Sequence, residues 1–172
     1  MLHCGSAGFD STVEMTHRES PSATRTPANA AQGRILPFLA GNTLVQEQTP
    51  YSLIGGENGV ARLCDRFYEL MDSVPQFAAI RAMHPADLQA SRDKLFMFLS
   101  GWLGGPDLYV QQIGHPMLRR RHLPFAIGTA ERDQWVACMY LAMESIGIDE
   151  TVREKLLTAF FDTADFMRNQ PA

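Results

Sequence analysis

Residues 114–125 read GHPMLRRRHLPF, two histidines separated by a triple arginine run and closed by a proline. The residue types allow two chemistries. The run is either a basic hook for an acidic partner, or part of a short segment that holds one imidazole against something. The two histidines differ in context. His115 lies between Gly114 and Pro116, which favour a turn, and an imidazole there bonds backbone or solvent. His122 precedes Leu123-Pro124, where the proline ends any short helix that carries it. By residue type alone His122 is a surface histidine beside three arginines.

Overall charge weighs against the hook. Acids outnumber bases 19 to 15, for a formal net charge of −4, so the whole molecule has no electrostatic reason to seek nucleic acid and the arginine run is a local feature. Cys4, Cys64 and Cys138 are far apart and form neither a zinc-ligand spacing nor a disulfide framework, which fits a reducing cytoplasm. No apolar run approaches the roughly 18–20 residues of a membrane span, and the start lacks the charged-then-apolar order of a secretory signal. The expectation is a soluble, cytoplasmic protein.

The elements that must position these groups begin near residue 47. Residues 1–46 include HRESPSATRTPANAAQG, whose composition offers too little periodic apolar surface to offset the entropy of ordering, so a disordered extension is expected. Inside it ILPFLAG is a short apolar patch, read as a segment that docks loosely on the domain or as a peptide for a partner. From residue 47 to 172 the pattern is helical. Thr49-Pro50 opens a short helix that ends at Gly55-Gly56. Val60, Leu63, Cys64, Phe67, Leu70 and Met71 share a face of the next helix, which Pro75 bounds. Leu88, Ser91, Leu95, Phe98, Leu99 and Trp102 stripe a third helix that stops at Gly104-Gly105-Pro106, with Ser91 as a small polar residue on its inward face. Thr129 is the expected cap of a fourth, with Trp135, Cys138, Met139, Ala142 and Ile146 inward and Gly147 as its stop. Asp149 or Thr151 opens the last, in which Val152, Leu156, Leu157, Phe160 and Ala164 repeat the pattern before a polar tail, RNQPA.

The result is an all-α domain of four substantial helices with shorter ones. One connection stands out. Pro106 to Gly128, which contains both histidines, exceeds the about 2–8 residues of a plain bundle connection, and long irregular connections in compact domains tend to carry function.

The stretch from Thr49 onward resembles a truncated hemoglobin of the second group, on the glycine pair before FY at 67–68, HPADL, LFMFLSGWLGGP, GHPMLRRRHLPF and ERDQW. The resemblance implies a truncated globin fold, two antiparallel helix pairs stacked two over two around haem b. It makes His122 the proximal iron ligand and places Trp135, thirteen positions later, in the distal pocket with Tyr68, which follows Phe67. His84 falls at the corner between helices, where it can bond Tyr68 and fix its hydroxyl. Ser91 takes the distal position that holds histidine or glutamine in most globins, leaving a gap for ligand entry, with Leu95 one turn later. Lys94 stands where an arginine is common, and it and Arg121 are the expected propionate contacts while the other arginines stay solvated. Phe67, Leu95, Phe98, Leu118, Phe125 and Met139 complete the haem contacts that the resemblance implies.

Physical chemistry supports the assignment of roles. An axial imidazole is normally tied through its other nitrogen to a carbonyl, which fixes the ring. Dioxygen in the pocket carries partial negative charge on its outer atom, and a buried indole or phenol donor aimed there stabilises it. The function expected is binding of dioxygen, or another diatomic gas, at ferrous iron for transport, storage or sensing. A redox enzyme acting on nitric oxide or peroxide is the alternative, and with no flavin or nicotinamide motif in the chain it needs an external reductase. A haem-free interaction module is the third reading. A homodimer is a further expectation, and neither nucleic acid nor membrane is an expected partner.

Overall fold

A computed structural model describes residues 48–171; the disordered extension expected over 1–46, with ILPFLAG, lies outside them. The described residues are helical throughout, with no strand among them. α1 (Pro50–Leu53) is capped by Thr49, whose hydroxyl accepts the Ser52 N–H at 3.3 Å. α2 (Gly56–Ser73) is followed by a 3-10 turn (Pro75–Phe77) and α3 (Ala78–Ala82). α4 (Gln89–Trp102), α5 (Leu108–Ile113) and α6 (Leu118–His122) lead to α7 (Thr129–Ser145) and α8 (Glu150–Met167). None of these helices is long and apolar enough to cross a membrane.

α2 is the hub of the packing, against α4 on one side and α7 on another, and α7 in turn lies along α8. Its inward stripe is fully enclosed: Val60, Leu63, Cys64 and Phe67 have no exposed surface. Cys138, Met139, Ala142 and Met143 of α7 meet it, with Leu99 of α4 and Phe160 of α8 closing the core. Burial of each large apolar side chain contributes about 1.5–3 kcal/mol, so these facing stripes hold the helices in place.

Two boundaries differ from expectation. α7 is capped at Gly128, not Thr129: the Glu131 carboxylate accepts the Gly128 N–H at 2.8 Å, and the Thr129 hydroxyl instead accepts from Arg168 at 3.0 Å. Residues 106–128 are less irregular than their glycines and prolines suggest, because α5 and α6 fold within them. Asp149, of the two candidates, caps α8, accepting the N–H groups of Thr151 and Val152.

The start of α2 packs backbone to backbone. A Cβ on Gly59 would lie 1.9 Å from the Ile54 carbonyl oxygen. Exchange of a helix-interior glycine for alanine ordinarily stabilises by about 1 kcal/mol. Here the collision is with backbone, and a steric cost of about 1–3 kcal/mol reverses the sign. Gly59→Ala is expected to lower the thermal unfolding midpoint; a raised midpoint would show that the α1–α2 turn relaxes freely.

Candidate functional site

A cavity of about 570 Å³ opens between these helices, within the about 300–1,000 Å³ common for small-molecule and cofactor sites. Tyr68 of α2, His84 from the α3–α4 corner, and Ser91, Lys94, Leu95 and Phe98 of α4 line it. α6 contributes Leu118, Arg121 and His122, and Phe125 and Trp135 follow from the next loop and α7. Residues 67 sequence positions apart, from Tyr68 to Trp135, thus reach one space.

His122 is half-buried, and its Nδ1 lies 2.7 Å from the Leu118 carbonyl oxygen one turn back in α6. A carbonyl only accepts, so Nδ1 carries the proton and Nε2 presents its lone pair. Nε2 has no protein partner among the described residues. His115 is elsewhere: it is exposed, off the cavity wall, and its Nδ1 accepts the Met117 N–H at 3.2 Å. No cluster of three or more His, Cys, Asp or Glu side chains able to hold a metal ion occurs among the described residues. An imidazole with a free nitrogen and no neighbouring ligand set therefore suits a cofactor that supplies the remaining metal ligands itself.

His84 is tied in the same way, Nδ1 donating to the Ile80 carbonyl at 2.8 Å. Burial, with Arg81 nearby, holds its pKa below the ordinary value despite that bond. It does not hydrogen-bond Tyr68 as expected; the rings meet edge to face with centroids 5.8 Å apart. Burial raises the Tyr68 hydroxyl far above its usual pKa, so it remains a donor. The Trp135 ring sits between Phe67 at 5.4 Å and Phe160 at 5.8 Å. Neither the indole N–H nor the Tyr68 O–H donates to a protein acceptor among the described residues.

Phe67 and Met139, expected as haem contacts, are not on the wall. Both are fully buried in the core, and Phe67 braces the rings of Tyr68 and Trp135 from behind. Helical periodicity marks them as inward without separating core from cavity. Arg121 and Lys94 are exposed at the cavity, and Arg121 donates to the Pro116 carbonyl at 2.9 Å. Of the other arginines, Arg120 is solvated, whereas Arg119 donates to the carbonyls of Phe166 and Arg168. Cys64 and Cys138 are buried thiols pushed up to about 12 by burial, and Cys138 donates to the Phe67 carbonyl, so both are packing groups.

Several wall residues had no individual sequence signal. Trp102 and Phe160, stacked with centroids 4.9 Å apart, carried only an inward-facing signal. Tyr109 comes from a segment without periodicity. Asn169, in the tail, donates to the carbonyls of His122 (3.2 Å) and Phe125 (2.7 Å), while its side-chain oxygen accepts the Ile127 N–H. The expected polar tail is a clasp on the histidine segment.

Mostly apolar walls, a free imidazole nitrogen on α6 and two cations without carboxylate partners among the described residues fit the haem that the resemblance implies: His122 would hold the iron, and Arg121 and Lys94 the carboxylates.

Comparison with known proteins gives a consistent picture. The bacterial-like globin family matches residues 49–169, from the α1 cap to the clasping asparagine. A group 2 truncated hemoglobin of Bacillus subtilis (strain 168) is 42% identical over 121 residues, covering 70% of this chain and 89% of that one. The solved group II 2-on-2 hemoglobin from Agrobacterium tumefaciens is similar with a TM-score of 0.69 at 47% identity, covering 72% of this chain and 95% of that one. A structure described as truncated oxygen-avid haemoglobin from Bacillus subtilis has a TM-score of 0.65 at 41% identity, over 70% and 99% of the two chains.

Proposed function

The chain belongs to the bacterial-like globins, as a truncated hemoglobin of the second group with the 2-on-2 helical fold, and from that premise we propose that it holds haem b on His122 and binds dioxygen. Globins bind haem and, through it, diatomic gases. Haem supplies a ferrous iron that accepts the gas as a ligand. The chain supplies the rest. His122 offers Nε2 because its Nδ1–H donates to the Leu118 carbonyl. Lys94 and Arg121 would hold the carboxylates, and Leu95, Phe98, Leu118 and Phe125 would exclude water from the ring.

One observation carries the oxygen reading. Trp135 and Tyr68 bring two donors without protein partners to the wall of the same cavity, and the hydrogen bond of each to a partly negative oxygen atom contributes about 1.5–3 kcal/mol. A relative described as oxygen-avid supports the same ligand. The donors also suit peroxide, so the test pairs two measurements on the haem-loaded full chain: oxygen release by stopped flow, and peroxide turnover with an electron donor. Slow release without turnover is the expected outcome. Rapid peroxide turnover would replace binding with redox catalysis.

A further inference from the structure

Between Asp107 and Glu131 the chain has no acidic residue, yet it carries Arg119, Arg120 and Arg121, in a molecule of net charge −4. The same stretch exposes large apolar side chains: Met117 (45% exposed), Leu123 (56%) and Phe125 (42%), with Val110 and Ile113 beside them. The surface of α5, α6 and their flanks, joined where the Arg121 guanidinium lies 5.9 Å from the Tyr109 ring centroid, thus exposes basic and apolar side chains together.

Its charge is not neutralised within the protein. Arg119 and Arg121 bond only carbonyls, which carry no net charge, and Arg120 has no hydrogen-bond or ion-pair partner among the described residues. The nearby Asp165 is committed to Arg132 and Arg168. If Arg121 meets a haem carboxylate, two positive charges still face outward. The face also reaches the site, because Phe125 and Arg121 are exposed and line the cavity as well.

We propose that this face docks an acidic protein that donates one electron to the haem. The donor is oxidised by one electron and the iron passes from ferric to ferrous, with no bond made or broken. The proposal rests on the haem reading above. The net charge of the whole chain disfavours an acidic partner at long range, but the local charge of this face is positive. Local complementarity selects the occupant: an acidic patch meets the arginines, while the exposed apolar side chains give it contact area. A second copy of this chain is a poor fit, because a two-fold contact sets the same arginines against each other. A nucleic acid, whose stable binding takes about 6–10 phosphate contacts, finds only two outward cations here.

Reduction of the haem-loaded full chain by reduced flavodoxin, an acidic one-electron donor protein, tests this by stopped flow. The rate should fall about tenfold or more from low to high salt, as screening removes the steering. At low salt Arg120→Glu should slow it about tenfold, as expected for a rim charge that governs encounter. Lys155→Glu makes the same charge change on α8, about 16 Å along the helix from Phe166 at 1.5 Å per residue, and should change it less than about twofold. Dithionite should reduce all three proteins alike. With oxidised flavodoxin, where no electron moves, amide NMR shifts should cluster at residues 108–127 and vanish in Arg120→Glu. Equal slowing by both variants, a salt-independent rate, or shifts elsewhere would overturn the proposal. So would self-association through this face, or tighter binding of a DNA duplex than of flavodoxin. Absence of a haem spectrum would instead defeat the haem reading, and the NMR arm would still decide the docking.

Discussion

His122→Gly is expected to lose haem unless imidazole is added to the solution. Glycine removes the one cavity nitrogen on α6 whose lone pair is free, and with it the tie to Leu118 that fixes the ring. Loss of an orienting partner alone costs about 10–100-fold in metal-site affinity, and loss of the ligand itself should exceed that. Two controls sharpen the result. His115→Ala should keep a normal haem spectrum, since His115 is off the wall and spends its Nδ1 on Met117. His84→Ala should keep the proximal signature, although His84 also lines the cavity with Nδ1 tied to a carbonyl. Haem titration with absorbance spectra reads all three. Equal loss in His115→Ala and His122→Gly would sink the ligand assignment, and loss in His84→Ala alone would move it.

Trp135→Phe is expected to speed oxygen release by about one to two orders of magnitude, the kinetic equivalent of one hydrogen bond to a charged acceptor, about 1.5–3 kcal/mol. Phenylalanine keeps a ring between Phe67 and Phe160 and deletes the donor. Tyr68→Phe should do less. The indole hydrogen is fixed in the ring plane, whereas the phenol hydrogen turns about its C–O bond and can serve water instead. Carbon monoxide develops less charge on its outer atom and should respond weakly to either change. Stopped-flow release of both gases decides between mechanisms: equal acceleration in Trp135→Phe would make the indole a steric wall.

The long helices were legible because their burial is periodic. The stripes of α2, α4, α7 and α8 place most of their apolar residues inward as the three- and four-residue steps require. What periodicity does not encode is which inward residue meets the cavity. Phe67 and Tyr68 are neighbours, about 100° apart around α2, and only Tyr68 reaches the wall. The cap of α7 misled for a related reason. Thr129 is a good capping type, but Arg168 claims its hydroxyl from the far end of α8. His122, Trp135, Tyr68 and Ser91 were singled out by the motif set, and the structure brings all four to one cavity. Asn169 was unreadable, since its partners lie 42–47 residues away and a lone asparagine in a polar tail announces nothing.

That asparagine has a wider consequence. The amides of Asn169 and Gln170 bond the Ile127 carbonyl, the Asn169 side chain spans from His122 to Ile127, and Arg119 reaches back to Phe166 and Arg168. α6 is only five residues long and cannot persist by itself, so it and the tail are expected to open and close as one cooperative unit. In hydrogen-exchange terms, the amides of Leu123 and Asn169 should report the same opening event. A fusion or truncation at the carboxyl end therefore perturbs the histidine from behind, through residues that never face the cavity.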